Sequence, residues 1–299
     1  MKLFITGGTG FLGSVCVEKF IKSPEVEKIY ILTHKSQINS SSPKIEILQG
    51  DIRNLHEISI ADNIDSCIVL ASAGVHGKTS EKLTYSINYN ATESAIKFCK
   101  RNNINRIIFT SSINVNLPKL GAYSSIKVDS EKIIRESGLN YLIFRPSLIY
   151  GRKCKFGLYM IEKFIRKFGF VPVFGDGKKL EQPIHVDECA EYINYYTLNN
   201  SSGRIIELGG FDAMTYNDLC EKIASCMNKR VKLLHVPAWP FLSVLKIFES
   251  LNISLPISSE QIYHVDSDLS CNMQEIYQET GITQKSFIEN FSRDGICES

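Results

Sequence analysis

The stretch ITGGTGFLG, residues 5–13, places Gly7, Gly8, Gly10 and Gly13 within seven positions, with only a short apolar run ahead of them. Glycine inside an element costs stability, so a cluster this tight serves a backbone path that other residues cannot follow. The run KLFIT (2–6) precedes it, and Leu12, Val15, Cys16 and Phe20 behind it repeat at helical spacing. A strand that turns through glycines straight into a helix commits the start of the chain to a βα unit.

That unit repeats. Apolar runs fall at KIYIL (28–32), IEIL (45–48), SCIVLAS (66–72), RIIFTSS (106–112) and YLIFRP (141–146), with helical patterns between them. In 87–99 the apolar residues Ile87, Ala91, Ala95, Phe98 and Cys99 make one helix face, and the helix 122–137 stops at Gly138, a normal cap residue. The alternation predicts an α/β fold: a Rossmann-type, doubly wound parallel sheet covered on both faces, with a smaller C-terminal substrate lobe. After Pro146 the rhythm changes. The expected division is 1–150 and 183–210 for the Rossmann domain, and 151–182 and 211–299 for the lobe. Within the later chain, HVDECAEYINYYTLNN reads as a helix with Asp187 as its N-cap, RIIELGG as a strand, and TYNDLCEKIASCMN as a helix opened by Thr215 and Asp218 in a capping box.

The 299 residues are 43% hydrophobic, enough for a sizeable core. With 34 basic against 32 acidic residues and no long run of one sign, neither nucleic acid nor a membrane is expected as a partner. The nine cysteines are scattered without a CxxC pair, which points to a reduced, cytoplasmic protein with neither disulfides nor a metal site. A strand and its glycine loop occupy the N-terminus, where a signal peptide is therefore not expected. The apolar stretch LLHVPAWPFLSVLKIFESL (233–251) is too interrupted to span a bilayer and reads as a partly buried amphipathic helix.

Gly7, Gly10 and Gly13 form G-x-x-G-x-x-G between strand and helix. The first glycine permits the tight turn, the second lets a pyrophosphate approach the backbone, and the third lets helix and strand pack closely; the helix N-terminus then offers N–H groups to the phosphates. After the second strand the chain reads Thr33, His34, Lys35, Ser36. A carboxylate there would bond the ribose 2′-hydroxyl of NAD, whereas His34 and Lys35 attract a 2′-phosphate, so NADP is favoured and NAD remains an alternative. Asp51, in QGDIRN, stands where an adenine amino group could be met, or caps the helix that follows.

Tyr-x-x-x-Lys occurs twice, at Tyr123/Lys127 and Tyr159/Lys163, each pair sharing a helix face. Position separates them. Tyr123 follows the fifth strand, whose end FTSS lies at the carboxyl edge where such sheets bind ligands, while Tyr159 lies in the later insertion as an ordinary exposed pair.

The sequence resembles the extended short-chain dehydrogenase/reductase superfamily, the NAD-dependent epimerases and dehydratases, in TGGTGFLG, GDIRN, INYNAT, RIIFTSS, YSSIK, RPSLIYG and PIHVDECAEYI, in that order. Its C-terminal run also resembles atypical members related to an accessory subunit of respiratory complex I. The resemblance implies that Ser112 bonds the reacting oxygen, Tyr123 is the acid/base, Lys127 bonds the nicotinamide ribose and lowers the tyrosine pKa, and Asn88 lies near the active site. It implies a cofactor lined by Gly7, Thr9, Gly10, Phe11, Leu12, Gly13, His34, Lys35, Asp51, Ile52, Ala71, Ser72, Ala73, Tyr123, Lys127, Pro146 and Ser147. A homodimer through 79–103 and 122–137 is implied as well.

The expected function is hydride transfer at a carbinol or ketone carbon of a sugar, nucleotide-linked, by an NAD(P)-dependent epimerase, dehydratase or reductase. Two departures bear on the substrate. Tyr123 follows Ser112 by only eleven positions, with INVNLPKLGA between them. Glu181 and Gln182 stand just before HVD, where family members that take nucleotide sugars often carry an arginine for the pyrophosphate. A reductase of a small non-nucleotide ketone and a non-catalytic NADP(H)-binding assembly or redox-sensing protein are the alternatives. His185 and Asp187 read as local structure, and Arg145 as a residue of the substrate lobe or a strand-end salt bridge.

Overall fold

A computed structural model of the chain describes residues 1–34, 42–73, 81–152, 154, 157–238, 240–242 and 264–294. Lys35 and Trp239 lie outside the described residues, as does most of 233–251. The first six strands are β1 (Lys2–Thr6), β2 (Lys28–Thr33), β3 (Ile45–Gln49), β4 (Ser66–Val69), β5 (Arg106–Thr110) and β6 (Asn140–Pro146). Short strands β7 (Ile149–Tyr150), β8 (Phe170–Phe174), β9 (Leu180–Glu181) and β10 (Ile184–His185) follow, then β11 (Arg204–Leu208).

Among the described residues one seven-stranded sheet runs in the order β11-β6-β5-β4-β1-β2-β3, and every neighbouring pair in it is parallel. The order reverses between β1 and β4, so the crevice for a ligand opens at their carboxyl ends. The inner strands are buried on both faces and accordingly read as near-continuous apolar runs: Leu3, Phe4 and Ile5 of β1 are all buried.

One face is covered by α1 (Phe11–Lys22), the other by a helix that starts as α2 (Glu81–Tyr85), widens into a π-helical turn (Ser86–Asn90) and continues as α3 (Ala91–Arg101), and by α4 (Ala122–Arg135). The 3.6-residue spacing of Ala91, Ala95, Phe98 and Cys99 puts all four into the core. A later strand-to-helix passage yields α5 (Leu158–Phe168), α6 (Val186–Leu198) and α7 (Tyr216–Cys226), the last opened by the Thr215/Asp218 capping box. The α6 helix packs on α1 beneath the sheet.

A separate apolar cluster joins α5, β8, α7 and α9 (Phe287–Arg293) around Ile161, Ile165, Leu219 and Phe291. Met273 and Ile276, at the start of α8 (Gln274–Thr280), instead join the core on the α1 and α6 face, where Glu279 takes hydrogen bonds from Tyr196 and Arg204. The C-terminal stretch thus divides its packing between the two cores.

Two expectations are corrected. The residues 233–236, read as the start of a helix, fall within β13 (Lys232–Val236), which pairs in parallel with β8. None of its five residues is fully buried, which an edge strand tolerates and a buried helix face does not. A further strand, β12 (Met214–Thr215), pairs with β9. The N-cap of α6 is His185, not Asp187: its Nδ1 accepts the Asp187 N–H at 3.2 Å, leaving the Asp187 carboxylate to pair with Arg293 at 3.0 Å.

Arg106, buried at the start of β5, ties the sheet to the end of α6. Its guanidinium donates to the carbonyls of Tyr196 (2.9 Å) and Thr197 (2.6 Å) in the last turn of α6 and of Ser201 (2.9 Å) just beyond it; the Tyr196 carbonyl also accepts the Ser201 N–H at 3.3 Å. Arg106→Met strands those buried acceptors and should lower the stability measured by urea unfolding by about 3 kcal/mol.

Candidate active site

The glycine turn leaves no space for side chains where the backbone approaches itself. Gly7 adopts φ +75°, and a Cβ there would lie 2.4 Å from the Ala71 nitrogen; one on Gly13 would lie 2.0 Å from the Gly7 carbonyl oxygen. The Gly10 N–H closes the turn on that same oxygen at 2.9 Å. No side chain caps α1 at Gly10, and its first turn has no acidic residue, so its N–H groups and positive dipole end meet the cleft without a competing anion. Thr9 and Gly10 are exposed at the tip, with Phe11 and Leu12 half-buried. Beside this cradle, buried Thr6 Oγ1, Thr110 Oγ1 and Ser111 Oγ have no hydrogen-bond partner in the protein. Unpaired polar atoms at the ends of β1 and β5, on either side of β4, suit a polar ligand lying across the sheet edge. These residues fit a dinucleotide.

At the β2 end, Asp51 does two things at once. Its carboxylate caps the turn beginning at Ile52 by accepting the Arg53 N–H at 2.9 Å, and it pairs with the Arg53 guanidinium. That pairing holds its carboxyl low, at about 2, with His34 adding to the effect and burial opposing it. His34 is exposed, and its carbonyl accepts a hydrogen bond from Gln49.

Tyr123 stands in the first turn of α4, at the carboxyl edge of the sheet. Its hydroxyl is 3.4 Å from Ser72 Oγ, in the segment Ala71–Ala73 that follows β4. Ser72 in turn donates to Asn88 Oδ1 at 2.9 Å. One helical turn beyond Tyr123, Lys127 is 1% exposed. Its Nζ donates to the Thr110 carbonyl at 2.9 Å and lies 5.6 Å from the Tyr123 ring and 4.6 Å from the Phe109 ring. Burial pushes the Lys127 ammonium down from 10.5 to about 7, against the opposing pull of Glu131. Ser112 sits two residues past Thr110 and caps a 3-10 turn, its Oγ accepting from the Asn114 N–H at 3.3 Å. The structure therefore gathers Tyr123, Lys127, Ser72 and Asn88 directly and sets Ser112 on the adjoining turn.

Asn88 is buried in the π-helical turn, and its amide is fully engaged. Oδ1 accepts from Ser72 and from the Ala73 N–H (3.3 Å), and Nδ2 donates to the carbonyls of Ala73 and Thr84, both at 2.9 Å. It holds the Ala71–Ala73 segment against the helix, beside Tyr123.

Farther along the edge, Arg145 forms a bidentate pair with buried Glu131 (2.9 and 2.7 Å) and reaches Asn116 at 3.0 Å and Glu207 at 3.3 Å. It is the strand-end ion pair of the two readings. Pro146 is buried, and the Ser147 hydroxyl turns to the Gln182 carbonyl, so its side chain joins sheet and lobe. Gln182, also buried, donates to the Gly210 carbonyl at 2.7 Å and accepts the Cys271 N–H at 2.8 Å. Burial pushes the Glu181 carboxyl up to about 7. The Tyr159/Lys163 pair is exposed on α5.

Sequence reading missed Ser72 as the hydroxyl neighbour of Tyr123 and the Thr110 carbonyl as the anchor of Lys127. Neither carries a spacing signal, since both contacts join segments far apart in the chain. Among the described residues no group of His, Cys, Asp and Glu is placed to hold a metal ion.

The Lys127 shift has a definite sign. Between about 7 and the ordinary lysine value of 10.5 the unfolded chain binds the extra proton, so this group makes stability rise with pH across that window. Urea unfolding of Lys127→Met should lack that rise, and subtracting the two pH profiles isolates it.

Residues 4–137 match the model of the 3-beta hydroxysteroid dehydrogenase/isomerase family. Over 255 residues the chain is 23% identical to the N-acetyl-alpha-D-glucosaminyl-diphospho-ditrans,octacis-undecaprenol 4-epimerase of Escherichia coli O157:H7, covering 79% of this chain and 75% of that one. It is 24% identical over 276 residues to subunit 9 of the NADH dehydrogenase [ubiquinone] 1 alpha subcomplex of Arabidopsis thaliana, covering 88% and 67%. The fold is that of the dTDP-glucose 4,6-dehydratase of Streptomyces venezuelae, solved with NAD bound: TM-score 0.76, 17% identity, coverage 98% and 95%. The family model and the relatives agree with the motifs of the sequence, and over most of its length this chain is similar to an epimerase and to a complex I subunit, as those motifs led one to expect.

Proposed function

We propose that the protein is an NAD(P)-dependent oxidoreductase of the extended short-chain dehydrogenase type, acting by hydride transfer at a carbinol or ketone carbon of a nucleotide-linked sugar. The observation that carries this reading is Tyr123 at the sheet edge with Lys127 buried one turn beneath it. A protein that only bound a dinucleotide would not need a lysine desolvated under a phenol. The E. coli relative acts on a diphosphate-linked sugar, and the S. venezuelae neighbour on a nucleotide sugar.

In this reading the glycine cradle, the Ala71–Ala73 segment and Lys127 hold the dinucleotide, with Asp51 and Ile52 at its adenine end and Pro146 and Ser147 beside the nicotinamide. The bound dinucleotide supplies the hydride acceptor or donor. Tyr123 Oη takes the proton from the substrate hydroxyl, or returns it to a carbonyl. A free phenol, with pKa about 10, is a poor base at neutral pH, and a protonated Lys127 favours the phenolate. Ser112 orients the reacting oxygen as charge develops on it. Asn88 keeps Ser72 and its neighbours in register with Tyr123. A homodimer through 79–103 and 122–137 is part of the proposal, and Leu83 and Tyr85 stand exposed on that helix.

One observation favours a second substrate class. Gln182 is spent within the protein and Glu181 is a carboxyl that burial keeps near neutrality, so this position offers no cation to a diphosphate. A ketone substrate without a nucleotide is the reading it supports.

Tyr123→Phe should lower kcat by at least about 100-fold while leaving the dinucleotide Kd almost unchanged; unchanged turnover would remove the enzyme assignment. The basic pair His34 and Lys35 supports NADP over the NAD of the solved neighbour. Lys35→Asp should therefore weaken NADPH binding far more than NADH binding in a titration, and equal losses would remove that preference.

A further inference from the structure

We propose that the end of the lobe built from the α5 C-terminus, the residues after α7 and the start of β13 docks on an anionic phospholipid surface. Two segments distant in sequence meet there. Lys232 N–H bonds the Gly169 carbonyl at 3.1 Å, Lys232 pairs with Phe170 in the β13–β8 register, and Lys229 Nζ reaches the Arg166 carbonyl at 3.4 Å. The contacts bring Lys163, Arg166, Lys167, Lys229, Arg230 and Lys232 to one end, all of them exposed. The acid within α5, Glu162, is buried and paired with Arg166 at 2.8 Å, so it faces inward.

In the middle of these cations stands Phe168, 51% exposed. Its ring lies 5.5 Å from Phe164 and 5.8 Å from Phe170, and Lys167 Nζ sits 5.0 Å from it. Basic residues in the last turn of a helix offset its dipole, which accounts for Arg166 and Lys167. It does not account for Lys229, Arg230 and Lys232, nor for a half-exposed phenylalanine in their midst. An exposed aromatic ring beside Lys167, on an end that carries five further cations, matches the chemistry of a phospholipid interface: the ring enters the acyl boundary while the cationic groups meet the phosphates. Each cation held near such a surface raises partitioning roughly fivefold. A net charge of +2 over the whole chain conceals this, because the concentration is local. Among the described residues no helix is long and apolar enough to cross a membrane, so the contact proposed is with the surface. It does not depend on the catalytic reading.

The test is co-sedimentation of the full chain with vesicles of phosphatidylcholine alone and of phosphatidylcholine mixed with phosphatidylserine. The protein should pellet with the anionic vesicles at least roughly tenfold better, and the double variant Lys167→Glu/Lys232→Glu should lose that gain. Phe168→Ser, measured separately, should cut anionic-vesicle binding severalfold, and it carries the test if the charge variant does not fold. Lys22→Glu/Lys97→Glu, the same charge change placed elsewhere on the surface, should bind as the parent does. Equal sedimentation with both vesicles, full binding by either patch variant, or an equal loss in the Lys22/Lys97 variant would overturn the proposal.

Discussion

No Cβ fits between Gly13 and the carbonyl of Gly7, and none fits between Gly7 and the Ala71 backbone. These two close approaches press α1 onto β1 and β1 onto the segment beyond β4, and they set the width of the crevice at the reversal of the strand order. Everything placed along that crevice takes its position from them: the uncapped start of α1, the unpaired hydroxyls of Thr6 and Thr110, and, through Ser72, the Tyr123 hydroxyl.

Most of this frame was legible in the sequence because its signals are local. A strand of five residues, a glycine turn and a helix of period 3.6 each announce themselves within a short window, and all seven strands of the main sheet fall where strand runs stand in the sequence. The Tyr123/Lys127 pair was found the same way, by spacing along one helix and by its place after a strand. The Thr215/Asp218 box was equally clear, because both partners lie within one turn.

What escaped the sequence depends on tertiary contact. Asp187 has a better capping side chain than His185, yet Arg293 from the far end of the chain takes its carboxylate and the imidazole caps instead. The residues 233–236 are apolar enough for a buried helix, and only the free edge of β8 makes them a strand. Asn88 could be placed near the site from its motif, but the contacts of its side chain could not, since all its side-chain partners except Thr84 come from the loop beyond β4. Composition also averaged away the basic end of the lobe, whose cations come from two segments far apart in the chain.

The π-helical turn at Ser86–Asn90 inserts one extra residue into an otherwise continuous helix from Glu81 to Arg101. Thr92 Oγ1 bonds the Asn88 carbonyl at 2.6 Å within it. Each α-helical residue advances the rotation by about 100°, so excising one residue from this turn would swing the stretch that carries Leu83 and Tyr85 by roughly a quarter-circle relative to α3. The turn is thus a phase-setting device. It lets the amino-terminal part of the helix turn Leu83 and Tyr85 outward while the remainder keeps its apolar row against the sheet.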